Sequence, residues 1–356
     1  MPISVPDPKF QTIIFSGLLF IALVLSVKKN KDKKYFDIST TNELKGLAIL
    51  MVIFAHIGYF LSKDRQFLFP LSILGGVGVN LFLFLSGFGL SISALKSRCS
   101  ILNFYIKKIR RLFLPLWIVI GIIFLMDRFI LNRSYAAEVI VQNFLGWYRE
   151  ADIYQSFNSS LWYFSLALIY SLLFPLLFWK KYPYISPILL LISGYLLLKV
   201  NLPVTEGVLK LYKLHFIAFP LGVLFAQISQ RSFFIDGIHK IQSLGLIKII
   251  TQGVLIFLVI YTAFNSGVGG ELNLEHSISL LTMVSLLFIF LIKNFQIRLL
   301  NLWGIYSYEI YLFHWPILYR YDILYKHMPA YLATATYLIV FLFLGFLVKK
   351  AVRMLY

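Results

Sequence analysis

The sequence predicts an all-α fold, a polytopic membrane helical bundle of about 10–11 transmembrane helices. Its 356 residues are 60% apolar and only 13% charged, about half the charged fraction of a soluble domain. Eleven apolar runs are long enough to cross a bilayer, and the charges lie between them. Helices built from such runs are apolar nearly all round, which suits a lipid environment.

The eleven runs follow one another through short connections. We predict spans at 10–27, 44–61, 74–95, 112–131, 159–179, 183–200, 211–229, 249–265, 276–293, 299–319 and 331–348. The basic cluster KKNKDKK follows the first run without an A-x-A-like cleavage site, which favours a membrane anchor over a signal peptide. The longest outer connection, 132–158, is expected to lie along the membrane surface, with Trp147 and Tyr148 at headgroup level.

The net charge of +18 is interpreted through its distribution along the chain. If the runs alternate across the membrane, 22 of the 33 Lys and Arg residues fall on the side that holds the C-terminus. This bias predicts an outside N-terminus and a multi-pass protein of the cell (cytoplasmic) membrane. Cations between spans set the topology and are suited to bind membrane lipids and an anionic substrate. No nucleic acid partner is expected. The single Cys99 excludes an intramolecular disulfide and a cysteine metal cluster, and no metal is expected.

Lys45 and His56 lie in one apolar run, NELKGLAILMVIFAHIGYF. Eleven helical steps make just over three turns, so both side chains face the same way, with a rise of roughly 16 Å between them. This spacing predicts a cation at the cytoplasmic surface and an imidazole near the bilayer midplane, where an ionisable group marks a functional site. The alternative is a histidine that only hydrogen-bonds a neighbouring helix.

A second cluster, FYIKKIRRLFLPLW, carries four cations within five positions. Lys108 and Arg111 are three residues apart and share a helical face. A lysine point charge and an arginine fork suit a phosphate-bearing ligand. Ordinary topology and lipid headgroup contact are the alternative.

A third run, GGVGVNLFLFLSGFGL, is rich in glycines that permit close helix packing: Gly75, Gly76, Gly78, Gly87 and Gly89. Asn80 and Ser86 offer hydrogen bonds inside the bundle. They are either functional or simply part of the packing.

A fourth run, LWGIYSYEIYLFHWPIL, places Glu309 near the middle of a span, with Tyr308 beside it. His314 follows toward the outer end, on one face with Ser307 and Tyr311. A carboxyl group at this depth is paired, hydrogen-bonded or protonated, and the sequence does not name its partner. A carboxyl that only ties helices together is the alternative.

From Asn42 onward, the order of these motifs resembles the acyltransferase 3 family of integral membrane O-acyltransferases. The family's arginine, ten residues and histidine correspond to Lys45 and His56. Its L-F-F-x-L-S-G-F and S-Y-x-x-Y-L-x-H-x-P motifs correspond to LFLFLSGF and SYEIYLFHWP, and its Arg-x-x-Arg pair to Lys108 and Arg111. Lysine twice replaces arginine, and Asn80 stands where an acidic residue is common. We therefore divide the chain into an extra anchor and basic cytoplasmic linker, 1–41, and an acyltransferase 3-like membrane domain, 42–356.

The resemblance implies transfer of an acyl group, usually acetyl, from cytoplasmic acyl-CoA as donor substrate to a hydroxyl of a cell-envelope carbohydrate. It leaves a homo-oligomer open. Lys45, Lys108 and Arg111 are expected to bind the CoA phosphates, and Ser86, Tyr308 and His314 the substrates. The expected catalytic set is His56, Lys45, Asn80 and Glu309, with His56 as general base because an imidazole accepts protons near neutral pH. Asn80, Ser86 and Tyr308 are candidate donors to the oxyanion, and a covalent acyl-histidine step stays open.

Two other functions compete with this hypothesis. A transporter or flippase of a lipid-linked saccharide would use His56 and Glu309 to relay protons or line a pathway, without dependence on CoA. In a membrane scaffold the polar residues would only join helices, so that His56→Ala would lower the yield of protein but abolish no turnover.

Overall fold

The computed structural model describes residues 2–29, 36–96, 100–182, 184–200, 205–266 and 272–355. Cys99 and most of the first basic cluster lie outside these ranges. The α-helices within them are α1 (Pro8–Leu25), α2 (Ile38–Ala55), α3 (Gly75–Lys96), α4 (Ile101–Ile130), α5 (Ala137–Leu145), α6 (Trp162–Leu177), α7 (Ile185–Leu197), α8 (Leu209–His215), α9 (Ala218–Ile228), α10 (Ser232–Ser243), α11 (Gly245–Ala263), α12 (Leu272–Ile292), α13 (Arg298–Arg320) and α14 (Ala330–Met354). Two short strands, β1 (Val27–Lys29) and β2 (Phe295–Ile297), pair antiparallel.

The predicted all-α membrane bundle is confirmed. In the described ranges, nine helices are long and apolar enough to cross a membrane, and every predicted apolar run contains a helix. α13 is not among these nine helices, but its 23 residues form about 34 Å of helix. The run at 183–200 forms only the 13 residues of α7, which is shorter than a full span.

The centre of the bundle is the contact between α2 and α13. A Cβ added to Gly46 of α2 would overlap the backbone of Leu300, and one added to Gly304 of α13 would overlap the backbone of Asn42. Only residues without a side chain allow two helices to approach this closely. This contact aligns the beginnings of both helices at one end of the bundle, which we call the basic end.

The glycines of α3 were expected to allow close packing, and only some of them do. A Cβ on Gly78 would lie 2.6 Å from Ala48 O of α2, and one on Gly87 would overlap the Phe219 backbone of α9. At Gly76 the nearest atom is 3.7 Å from an added Cβ, and at Gly89 no atom lies within 4 Å. The expectation was therefore wrong for Gly76 and Gly89.

Buried ion pairs join the ends of the helices. At the basic end Lys293 Nζ donates to Glu43 Oε2 at 2.6 Å, and Ile297 N donates to the other oxygen of the same carboxylate. At the opposite end Arg320 pairs with Asp127, which also accepts from the Tyr321 hydroxyl. Buried charges need partners of this kind, and each pair links segments far apart in sequence.

The extra N-terminal helix packs onto the bundle. Tyr331 N of α14 donates to Gln11 Oε1 at 3.1 Å, and the Phe15 ring lies edge-on to Phe54, with centroids 5.5 Å apart. β1 then continues this contact by pairing with β2.

The outer connection 132–158 folds differently from the expectation. Trp147 is half-buried and Tyr148 is buried, so Tyr148 is covered by protein and does not face the membrane surface as an exposed side chain. Its hydroxyl donates to Asn143 O at 2.9 Å, and its amide donates to Ser165 Oγ at 2.9 Å. The first bond gives the buried hydroxyl an acceptor in α5, and the second holds Tyr148 against α6.

Gly304→Val tests the central contact. We expect the thermal midpoint of the detergent-solubilised protein to fall, since forcing a side chain into a packed contact costs about 1–3 kcal/mol or more. The matched control is Gly253→Val in α11, where an added Cβ meets nothing within 4 Å. Equal thermal midpoints for the two variants would show that the α2–α13 contact is not required.

Candidate active site

His56 lies where α2 changes its geometry. The helix ends at Ala55 and continues as a π-helical turn, His56–Leu61, a wide form often found at functional sites. The half-buried His56 ring has its Nδ1 2.9 Å from Val52 O and 3.2 Å from Nε2 of His314. The turn therefore sets the ring against α13.

His314 determines which nitrogen of His56 is free. The fully buried His314 has its Nδ1 2.9 Å from Tyr311 O and 3.2 Å from Ile310 O. Carbonyl oxygens only accept, so we assign the hydrogen to Nδ1 and the lone pair to Nε2. His56 Nδ1 likewise carries a hydrogen, shared between Val52 O and His314 Nε2. The lone pair of His56 is thus on Nε2, to which no group among the described residues hydrogen-bonds.

A row of aromatic rings leads from His56 to the end of the bundle opposite the basic end. The Trp315 ring centroid lies 4.9 Å from that of His56, and Tyr319 stacks on Trp315 at 5.4 Å. Tyr154 of the outer connection follows at 5.3 Å and is 46% exposed. The connection is held there because Trp315 Nε1 donates to Ile153 O at 3.1 Å. The sequence does not predict this row, since one sequence does not show which loop covers α13.

A cavity of about 830 Å³ opens at the basic end. The described residues that line it include Lys45, Lys96 and Arg111, together with Asp37. The structure thus brings Lys45 and Arg111 to one cavity. Lys108 does not line it, although its charge is close enough to Arg111 to interact with it.

His56 does not line this cavity either. Ser86 follows Leu85, which lines the cavity, and its side chain lies near the Tyr163 hydroxyl. The Tyr163 ring lies 5.4 Å from that of Tyr311, which lies 6.3 Å from His314. These hydroxyl-bearing residues connect the basic cavity with the histidine pair.

Glu309 has the basic partner that the sequence could not name. Its Oε1 lies 4.0 Å from Nζ of Lys349 on α14, and the charge of Arg111 also acts on it. The carboxylate is buried, so a cation nearby offsets the loss of water. From the sequence, Lys349 is only one of the charges that set the topology, because the register between α13 and α14 is not visible in a single sequence.

Two predicted site residues use their polar groups elsewhere. The Tyr308 hydroxyl donates to Leu112 O at 2.6 Å. Asn80 is fully buried; its Nδ2 donates to Ser279 Oγ at 2.9 Å and its Oδ1 accepts from His215 Nδ1 at 2.8 Å. The structure therefore places Asn80 in a polar cluster joining α3, α8 and α12.

Comparison with known proteins identifies the family of the chain. The model of the acyltransferase 3 family, described as an acyltransferase domain, matches residues 42–350. The match begins at the residue from which the motifs were recognised, and α1 precedes it. Neither the curated proteins nor the solved structures matched the chain. Because the family model covers nearly the whole chain, the chain belongs to the acyltransferase 3 family and is a membrane acyltransferase.

Proposed function

We propose that the chain moves an acyl group, in the simplest case acetyl, from cytoplasmic acyl-CoA to a hydroxyl of a cell-envelope carbohydrate. One observation carries the proposal: the lone pair on Nε2 of His56 is held between a basic cavity and an aromatic row that reaches the other end. The family supports acyl transfer. The charges of the cavity support an anionic donor, and the aromatic row supports an acceptor with apolar ring faces.

The residues that line the basic cavity indicate how the donor binds. Lys45 and Arg111 line it, and together they offer a point charge and a planar fork to the diphosphate of CoA. Glu309 lies close enough to Arg111 for the two charges to interact, which neutralises part of the positive charge there. The thioester arm then extends past Ser86 and Tyr163 toward His56.

The chemistry follows from the two histidines. His56 Nε2 removes the proton from the acceptor hydroxyl while that oxygen forms a bond to the thioester carbon. The carbon–sulfur bond then breaks, and the imidazolium returns its proton to the leaving thiolate, so the enzyme ends unchanged. His314 accepts the Nδ1 hydrogen of His56 throughout and stabilises the imidazolium, as an orienting partner does in a triad. Attack by Nε2 itself on the thioester, giving an acyl-histidine, would use the same lone pair.

The oxyanion on the thioester carbon needs hydrogen-bond donors. Of the three candidates, Tyr308 already donates to Leu112 and Asn80 to Ser279. Ser86 instead lies near the Tyr163 hydroxyl, in the group of residues between the cavity and His314. We therefore favour the hydroxyls of Ser86 and Tyr163 as donors.

His56→Ala tests the catalytic base. In lipid nanodiscs with labelled acetyl-CoA and envelope glycans, we expect turnover to fall by about 10²–10⁴-fold, the usual contribution of a general base, while CoA binding is retained. A monodisperse gel-filtration profile controls for folding. If the wild-type protein binds no CoA and transfers no acyl group to any glycan, the proposal is wrong.

Substitution of His314 should lower kcat and leave donor binding unchanged. We expect His314→Ala to lower kcat at least about tenfold because His56 loses the acceptor that orients it, with the KM for acetyl-CoA unchanged. His314→Gln should recover part of the activity, since its amide oxygen can accept the same hydrogen. A change in KM alone, or no recovery with glutamine, would contradict a positioning role.

Lys45→Glu should weaken CoA binding at least about tenfold by replacing attraction with repulsion, whereas Lys45→Arg should retain it. Lys107→Glu is the matched control, because Lys107 is an exposed cation near the same end that does not line the cavity. Isothermal titration with CoA measures the difference. Equal affinities for the Lys45→Glu and Lys107→Glu variants would remove Lys45 from the donor site.

A further inference from the structure

We infer that the part of the basic cavity furthest from His56 binds the 3′-phosphoadenosine end of the donor. Lys96 faces the 3′-phosphate, and a wall of four residues faces the adenine: Phe36, Phe88, Asp37 and Gln230. This inference rests on the proposed function, since it divides the cavity between two parts of one donor. We call this group of five residues the rim site. All five line the cavity.

The cations of the cavity lie at two depths. Gly78 of α3 lies against Ala48 and Met51 of α2, and the two helices run in opposite directions, so Leu85 is level with Lys45. Lys96 ends α3 eleven residues later, about 16 Å further toward the basic end. Because lysine side chains are long, the ammonium groups of Lys45 and Lys96 can lie closer together than their backbones. The cavity therefore offers cations at two separate levels, and CoA carries a diphosphate and a separate 3′-phosphate on its ribose.

Aromatic rings form a wall in the same part of the cavity as Lys96. The Phe36 and Phe88 rings contact edge to face at 4.5 Å, and Phe225 packs on Phe36 at 5.5 Å. Phe36 has φ 48°, a left-handed conformation that bulky L-residues rarely adopt. Its surroundings must hold it there, and such strain is concentrated at ligand sites. The wall offers the apolar surface against which a flat base packs.

The polar groups next to this wall accept hydrogen bonds. Asp37 caps α2 by accepting from Thr40 N at 2.7 Å, and a carboxylate has further lone pairs. Gln230 Nε2 donates to Ala226 O at 2.8 Å, which leaves its amide oxygen available. Two acceptors suit the exocyclic amino group of adenine. The Asp37 carboxylate repels a phosphate from this part of the rim, so the base and the 3′-phosphate take different places.

The cavity volume suits such a ligand. At about 830 Å³ it lies in the upper part of the range of small-molecule sites, about 300–1,000 Å³. A lipid headgroup could use Lys96 as a phosphate partner, but it would not require the aromatic wall or the two acceptors. The observations therefore favour a nucleotide.

The test compares acetyl-CoA with acetyl-3′-dephospho-CoA, using the full chain in nanodiscs. We expect Lys96→Ala to raise the KM for acetyl-CoA about tenfold and to leave the KM for the dephospho donor within about twofold, because the contact is already missing. Lys180→Ala is the control; Lys180 Nζ donates to Leu95 O at the same end but does not line the cavity. An equal effect of Lys96→Ala on both donors would overturn the assignment.

Gln230→Leu tests the adenine wall in the same assay. We expect it to reduce the preference for acetyl-CoA over its inosine analogue, in which a carbonyl replaces the amino group. An unchanged preference would argue against the adenine part of the rim site.

Two further measurements distinguish an error in the proposed function from an error in the rim site. If the wild-type protein uses no acyl-CoA, the proposed function fails, and direct binding of adenosine 3′,5′-bisphosphate then decides the inference. Binding that Lys96→Ala weakens supports the rim site, and no binding overturns it. If the Lys96→Ala effect disappears when phosphatidylglycerol is omitted from the nanodiscs, the site belongs to a lipid headgroup and the inference is wrong.

Discussion

The close approach of α2 and α13 is the constraint on which the rest of the site depends. Gly46 and Gly304 let the two backbones touch, and only at that separation can His314 Nε2 reach His56 Nδ1 at 3.2 Å. The π-helical turn at His56 and the carbonyls that hold His314 then fix both rings. A membrane interior provides no water to satisfy either imidazole, so each ring is held by groups of the protein. One nitrogen of the pair remains available for chemistry.

The bundle is different at its two ends, and this difference matters for a transferase. Cations and a large cavity lie at the basic end, whereas stacked rings and the folded outer connection lie at the other. The buried Glu43–Lys293 and Asp127–Arg320 pairs hold these two ends. His56 lies between these ends, eleven residues after Lys45 of the cavity and in contact with Trp315 of the aromatic row.

The structure brings together some of the residues that the sequence predicts for the site and separates others. Lys45 and Arg111 were expected near a phosphate ligand, and they share one cavity. His56 was expected either to catalyse or to hydrogen-bond a neighbouring helix, and the structure shows the hydrogen bond, to His314. Asn80 was expected at the reaction centre, yet its amide is bound to His215 and Ser279. Helical spacing tells which residues share a face, but it does not tell which other helix that face meets.

Composition, apolar periodicity and motif order were sufficient to determine the all-α membrane bundle, the family and the identities of most polar residues in the spans. These properties are local, since a run of twenty apolar residues forms a helix in lipid whatever its neighbours are. Only the tertiary structure decided that His314 orients His56, that Lys349 partners Glu309, and that Tyr148 is buried and not at the surface. Each of these contacts joins segments distant in the chain, and their register is set by side-chain packing between helices, which a single sequence does not encode in any readable spacing.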